Sequence, residues 1–578
     1  MSSSRIERRP LVAGSRFTMQ VHPVLQRVYA ARGLSSDDDL DLSLGRLLPI
    51  GSLPAADAAA QLLEKHRTGR VLVVGDFDAD GATSTALMIR GLKAMRFEHV
   101  DFLVPSRFRF GYGLTPEIVA LAASRNPSLI VTVDNGISSL AGVAAARGLG
   151  IPVLVTDHHL PGTELPRAEV IVNPNAGAAR FASSALAGVG VAFYVIAALA
   201  RALQATQFKA ADLLDLVALG TVADVVPLDR NNRILVEQGL RRIRAGRCIP
   251  GIRALLEVAG RRLDQITASD LGFSVGPRLN AAGRLTDMSV GIACLLADDP
   301  AEAARLAETL TKLNEERREI EQRMQLEALD SAAAARVDAL GAESLGLCLF
   351  EESWHQGVVG LVAGRLKDRF HRPVVAFARA ESGDLRGSAR SIAGVHIRDA
   401  LDSIAARHPG LIEKFGGHAM AAGMTLKEAN LGAFRQAFAQ EVAARADRRA
   451  LAGILHSDGE LAPAELSLDT ARTLRGAGPW GQGFPEPQFD GDFRILDARL
   501  VGERHLKLQL GAASGGASSA PGGSLEAIVF GYLGGESESE AIRGGACVRV
   551  LYRLEVNEYR GTERVQLNCR HLDIRTSP

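Results

Sequence analysis

The densest chemistry in this 578-residue chain lies in VVGDFDADGATS, residues 73–84, where Asp76, Asp78 and Asp80 alternate between an apolar run and Gly81. Three carboxylates crowded in this way repel one another, and burying them unpaired is costly, so such groups share a cation. Oxygen ligands suit hard divalent ions. Further on, Asp134 ends SLIVTV, Asp157, His158 and His159 end IPVLVT, and Asp224 interrupts DLVALGTVADVVPL. Each has a plain structural reading when taken alone: a turn aspartate before Asn-Gly, surface or core histidines, a helix cap. Their recurrence at matching places in a repeated apolar-run-to-loop pattern points instead to one shared metal centre. Imidazoles among the carboxylates favour manganese over magnesium. So many carboxylates suggest two ions with a bridging aspartate, an arrangement that generates a hydroxide and clamps an in-line displacement at phosphorus.

These side chains need a frame. Val71–Val74 reads as a buried parallel strand, followed by a helix from Ala82–Thr83. VDFLVP is the next strand, and the Gly111–Tyr112–Gly113 turn brings Arg107, Arg109 and Tyr112 to its exit. The helices PEIVALAAS and AGVAAARGLG then alternate with the strands ending in Asp134 and Asp157, and the apolar stretch 215–228 is expected to deliver Asp224 as a fourth such run. The alternation predicts a doubly wound parallel sheet with ligands outside the carboxyl ends of its strands. Ahead of it, AADAAAQLLEKHRTGR is an amphipathic helix, and the first twenty residues are expected to be loosely ordered.

Beyond the sheet, SVGPRLNAAGRLTD (274–287) reads as a glycine-rich loop in which Arg278, Asn280 and Arg284 could cradle phosphate. Residues 300–335 lack glycine and internal proline and keep no strict heptad, so they form a long spacer helix rather than a coiled coil. In the α/β region that follows, Trp354 and His355 precede a small-residue helix start where phosphate or a base could lie on backbone amides. LRGSARSIAG (385–394) places Ser388 and Arg390 next to Gly387, and His418 sits among glycines with room for a bulky ligand. After residue 455, short β-type runs with regular turns suggest a small barrel, and GAASGGASSAPGGS (511–524) reads as a flexible insert.

Composition adds bounds. Lys+Arg 66 balance Asp+Glu 66, so bulk charge does not announce a nucleic-acid partner. Five cysteines without CxxC spacing argue against a disulfide framework or structural zinc and fit a reducing compartment. The N-terminus carries no signal-peptide pattern and no apolar run approaches a membrane span, so the expectation is a soluble, cytoplasmic protein.

GDFDADGATS, VTVDNG, TDHH and GTVADVVPL, in this order, resemble the four motifs of the DHH phosphoesterase superfamily, and within it the RecJ-type exonucleases. The resemblance runs from about residue 20 to the end. It implies a DHH domain over 71–235 behind an N-terminal segment 1–70, and a helical connection with the spacer helix over 236–345. A DHH-associated substrate-binding domain (346–450) and an oligonucleotide-binding barrel (455–578) would follow. By position, Asp76, Asp78, Asp80, Asp134, His158, His159 and Asp224 match the metal-site residues, with Asp134 bridging two Mn2+ or Mg2+ ions and Asp157 orienting the histidines. Arg107, Tyr112, Arg278, Asn280, Arg284, Ser388, Arg390 and His418 are implied to bind phosphate or substrate, the last three facing the metal lobe. Trp354, His355, Phe484, His505, Lys507, Tyr552, Tyr559 and Arg560 are candidates for contact with DNA. Two positions depart from the pattern: Phe110 stands where an acidic residue is common, and Phe484 where asparagine commonly precedes PEP.

The implied activity is 5′-to-3′ hydrolysis of single-stranded DNA to mononucleotides, in repair and recombination, by a monomer. Single-strand-binding protein and a helicase are the suggested partners, and a narrow cleft would exclude duplex. One rival is a relative that cleaves short oligonucleotides or cyclic dinucleotides, for which the barrel would be idle. The other is a non-catalytic DNA-binding scaffold, which predicts missing ligands where this chain has them all.

Overall fold

The computed structural model describes the chain apart from residues 1–4, 19–20, 107–109, 178–180, 335–344, 447–450, 452, 503–504, 513–523, 533–544, 560 and 576–578. Arg107, Arg109, Arg560 and most of the 511–524 insert therefore lie outside the described residues, as does the side chain of Tyr559. The chain divides into two compact units, one of Arg8–Thr311 with His456–Pro578, the other of Met1–Glu7 with Lys312–Leu455.

The first unit is built on five parallel strands: β1 (Arg70–Val74), β2 (His99–Leu103), β3 (Leu129–Val133), β4 (Val153–Thr156) and β5 (Val170–Val172), in the order β2-β1-β3-β4-β5. Val71–Val74 and Leu129–Val133 are wholly buried, which explains why they read as unbroken apolar runs rather than alternating ones. One apolar cluster joins Leu72, Val74, Ile130 and Val153 to Ile118 and Val143 of the helices Pro116–Ala123 and Leu140–Gly148. The helices Ala79–Ala94, Gly188–Ala202 and Leu214–Ala223 pack on one another. Because all five strands run the same way, their carboxyl ends share one edge, and the chemistry-bearing loops leave from it.

Three segments differ from their expected form. Residues 214–223, expected to continue the strand pattern, are a helix that ends at Asp224. The helix is buried on nearly every side, and an apolar run of that kind has no period by which to tell strand from helix. Residues 276–285 are also a helix rather than a loop. Pro277 presets its first turn, and its glycines serve close packing: a Cβ at Gly283 would lie 1.8 Å from Phe77 O. At the N-terminus, Arg5–Arg8 is a strand rather than a loose segment, and Arg8 pairs with the buried Asp490 at 3.0 Å.

The same unit carries a closed five-stranded barrel of Phe489–Val501, His505–Ala512, Leu525–Val529, Cys547–Tyr559 and Thr562–Arg575. Trp480 and Phe484, in the segment entering it, stack at 5.1 Å, with Arg32 over the Trp480 ring and Arg233 over Phe484. These contacts fasten the barrel's approach to the metal-lobe helices. A 35-residue helix, Pro300–Ala334, fulfils the spacer expectation. The second unit holds a five-stranded mixed sheet around Phe377, Phe434 and Phe438.

Candidate metal centre

Each expected ligand leaves the same sheet edge or a helix end beside it. The chain leaves β1 through Gly75 into Asp76, and Asp78 caps the helix Ala79–Ala94 by accepting the Gly81 N–H at 3.0 Å, three residues before the expected start. Asp80 therefore falls in the first helical turn, buried, where its two carboxylate oxygens accept the Gly188 and Val189 N–H groups at 2.6 and 2.9 Å. A helix N-terminus thus favours its charged form, against the burial and neighbouring carboxylates that oppose it. Asp134 follows β3 with φ 61°, a left-handed conformation that aspartate tolerates. Gly188 must stay bare beside it, since a Cβ there would lie 2.7 Å from Asp134 Cβ.

His158 Nε2 stands 3.1 Å from Asp134 Oδ1 and 3.5 Å from Asp224 Oδ2. All three atoms are buried, and none makes a hydrogen bond. Donor atoms form three groups, each within 4.8 Å: Asp76 with Asp78 and Asp134, Asp80 with His158 and Asp224, and Asp134 with His158 and His159. Asp134 is common to two of them. This oxygen-rich set with imidazole nitrogen fits divalent manganese or magnesium.

The electrostatics say the same. Burial, followed by the charge of the neighbouring carboxylates, holds Asp80 and Asp134 well above the usual carboxylate range, and pushes Asp224 up to about 7. Burial takes His158 down to about 4, leaving it neutral and able to ligate. Burial alone would lower His159 as well, but the hydrogen bond and charge of Asp157 bring it up to about 9. Asp157 itself is fully buried and held below the ordinary carboxylate range: burial opposes this, and the His159 contact overcomes it. Its Oδ1 lies 2.7 Å from His159 Nδ1 and also accepts the backbone N–H groups of His158 and His159, while Oδ2 accepts that of Ile137. Asp157 therefore fixes the double-histidine turn, as a carboxylate behind a metal site does.

Tyr112, expected on substrate, has its hydroxyl 3.1 Å from His159 Nδ1 and donates to Asp134 O at 3.2 Å. Asn280 Oδ1 accepts the Ala79 N–H at 2.9 Å, joining its helix to the acidic turn. On the same helix, Arg278 donates to Ser274 O and Thr311 Oγ1, and Arg284 lies one turn beyond Asn280. Four contributors escaped the sequence reading. Besides Gly188 and Val189, Asn173 and Asn175 donate side-chain N–H groups to His159 O and His158 O at 2.9 and 2.8 Å. An Asn-Pro-Asn run after a short apolar stretch was the available signal for the asparagines.

Three of the DNA-contact candidates, Trp354, Phe484 and Tyr552, need correction because they are buried. Trp354 is buried, its indole N–H donating to Glu327 at 3.0 Å, so it offers no stacking face. Phe484 is buried between Trp480 and Arg233, and Tyr552 lies in the barrel core. Lys507 pairs with Glu526 at 2.9 Å, and the imidazoles of His355 and His505 accept backbone N–H groups of Gly357 and Gly531. In the second unit, Arg390 donates to Ser388 Oγ at 3.1 Å beside Gly360, near the start of the helix Val359–Phe370, and His418 lies between two hairpin strands.

A doubly wound sheet whose carboxyl edge gathers six carboxylates and two histidines defines a metal-dependent phosphoesterase. Comparison with known proteins bears on which one. Three family profiles match: the N-terminal domain of the DHH family over residues 70–221, the DHHA1 domain over 338–444 and the RecJ OB domain over 457–571. The single-stranded-DNA-specific exonuclease RecJ of Dickeya dadantii is 52% identical across 98% of this chain and 99% of its own, and that of Escherichia coli 50% identical across 97% and 98%. The crystal structure of RecJ from Thermus thermophilus in complex with Mn2+ superposes with a TM-score of 0.79 at 30% identity, covering 99% of this chain and 80% of that one. Its Mg2+ complex gives 0.73 at 29% identity, covering 99% and 78%. The chain belongs to the RecJ family of single-stranded-DNA-specific exonucleases.

Proposed function

We propose that this exonuclease removes mononucleotides from the 5′ end of single-stranded DNA by a two-ion, in-line displacement at phosphorus. The observation that carries the reading is the convergence of Asp134 Oδ1, His158 Nε2 and Asp224 Oδ2, three buried donor atoms without hydrogen bonds amid carboxylates that repel one another. Asp76, Asp78 and Asp134 would hold one divalent ion and Asp80, Asp134, His158 and Asp224 the other, with Asp134 shared. When bound, such a pair supplies neutralising charge at the scissile phosphate and lowers the pKa of an attacking water.

The chain's own residues do the rest. Gly188 and Val189 fix Asp80, Asp157 fixes His159, and Tyr112 spans Asp134 and His159. His159, oriented by Asp157, would offer its ring nitrogen to the ions together with Asp134 and His158. Arg107, Arg278, Asn280, Arg284, Ser388, Arg390 and His418 are assigned to phosphate and substrate by family position, including any 5′-terminal phosphate. The same resemblance supports a monomer acting in the cytoplasm in repair and recombination, with single-strand-binding protein and a helicase as partners. Among the described residues, no helix is long and apolar enough to cross a membrane.

A strand labelled at the 5′ end, the same strand labelled at the 3′ end, and a blunt duplex separate the readings. Early release of labelled mononucleotide from the 5′-labelled strand alone, dependent on Mn2+ or Mg2+, supports the proposal. Early release from the 3′ label reverses the polarity. Attack confined to dinucleotides transfers the chain to the small-substrate reading.

A further inference from the structure

Asp80, His158 and Asp224 come from three separate segments, yet their donor atoms lie within 4.8 Å of one another. Two of them lean on one stretch of chain, residues 183–189. Gly188 and Val189 donate to Asp80, and the Leu186 backbone hydrogen-bonds His158. Asp224 belongs to another stretch, between the helices Leu214–Ala223 and Arg230–Arg244. Whatever keeps these two stretches in register decides whether the three donors meet.

One side chain does so. Asn232 is wholly buried, and its amide nitrogen donates to Ala185 O at 2.7 Å and to Pro227 O at 2.9 Å. An asparagine amide has two protons to give, and two carbonyl partners fix which end of it is the nitrogen. Asp229 makes a second tie beside the first: it accepts the Asn232 N–H at 2.9 Å and the Ser183 hydroxyl at 2.6 Å. From the far side, Gln482 O accepts the Leu228 N–H at 2.7 Å, and a Cβ at Gly481 would lie 2.7 Å from Leu228 Cδ1. Pro227 and Leu228 are thus anchored from two directions.

The backbone between Asp224 and these anchors is strained. Val225 has φ 63°, where a β-branched residue is disfavoured, and it is 62% exposed, so packing does not hold it there. Such a conformation persists only where the surroundings over-determine it. The anchors two and three residues further on supply that constraint.

We propose that Asn232 is a positioning residue for the metal centre: it locks Asp224 to the stretch that holds Asp80 and His158, and the strain at Val225 is a consequence of that lock. Asn232 acts through two backbone carbonyls rather than on a ligand itself. The inference rests on the two-ion reading above and adds that the two ions depend on Asn232 unequally. The ion among Asp80, His158 and Asp224 needs it more than the ion between Asp76 and Asp78.

The test titrates Mn2+ into wild type, Asn232→Ala and Val225→Gly, followed by electron paramagnetic resonance, with Tm in chelator measured alongside. In Asn232→Ala one ion should bind about tenfold more weakly, as when a group behind a metal ligand is lost. The other ion should keep close to its wild-type affinity. Asn232→Ala also lowers Tm, since buried carbonyls lose their partner. Val225→Gly separates position from stability: relief of the strain should leave Tm no lower than wild type, while the loosened tether weakens the same ion. Wild-type affinity for both ions in Asn232→Ala overturns the inference, as does an equal weakening of both. If Asn232→Ala does not fold, the same two outcomes in Val225→Gly overturn it. If wild type takes up a single ion, the two-ion reading fails, and the inference then stands or falls on whether these variants weaken that ion.

Discussion

Gly188 has no side chain to contribute, yet the centre depends on it. Its amide holds Asp80, and the space where a Cβ would go is filled by Asp134. Gly188→Ala should push Asp134 off its position and lower kcat/KM by about 100-fold, the loss that a displacement of roughly 1 Å produces, with circular dichroism unchanged. Wild-type activity in that variant would mean that Asp134 is not held where the mechanism needs it. The carboxylates also set a pH dependence for the protein in chelator. Acids whose folded pKa is raised contribute stability at low pH that is lost as pH rises through the folded value, and a raised histidine behaves in the same way. Asp224, raised from 3.8 to about 7, therefore destabilises the metal-free protein as pH climbs through the acid range to about 7, and His159, raised from 6.5 to about 9, as it climbs from 6.5 to 9. Below that window His158, lowered to about 4, works in the opposite sense. Tm measured in chelator should fall between pH 6.5 and 9, and Mn2+ should flatten the fall. A rise with pH would contradict the assigned burial of these groups.

At the scale of elements, legibility followed periodicity. The strands Val71–Val74 and Leu129–Val133 are short, apolar and bounded by turn residues, so their type and their carboxyl-end ligands could be read directly. Leu214–Ala223 could not, because its burial removes the polar face that would have marked a helix. The 276–285 helix misled for another reason: glycine signals both loops and close packing, and only the approach of Gly283 to Phe77 distinguishes them. Phe484 illustrates the limit of residue type as a guide. An aromatic in a DNA-binding barrel's approach suggests stacking on bases, but this ring is committed to Trp480 and Arg233. Phe484→Ala should accordingly cost about 3–5 kcal/mol of stability, the range for deleting a buried aromatic. Denaturant unfolding with little loss, together with weakened strand binding, would restore Phe484 as a DNA contact.

For the whole molecule, the family and the residues that meet at the candidate metal centre were legible because four spaced motifs occur together in one order, which no single motif could establish. The supporting shell was not. Gly188, Val189, Asn173 and Asn175 act through backbone groups or on backbone carbonyls, and nothing in a linear sequence marks which amide will meet which carboxylate. Neutral overall charge was equally uninformative, since the chemistry depends on local concentration of one sign: buried carboxylates at a single sheet edge, balanced when cations are bound. That balance is the central claim, and it assigns Asp134 to two ions at once. Mn2+ titration followed by electron paramagnetic resonance tests it most directly. Two ions per chain with a spin-coupled signal, reduced to an uncoupled signal in Asp134→Ala, is the predicted result. A single uncoupled ion in the wild-type protein would contradict a shared, two-ion centre.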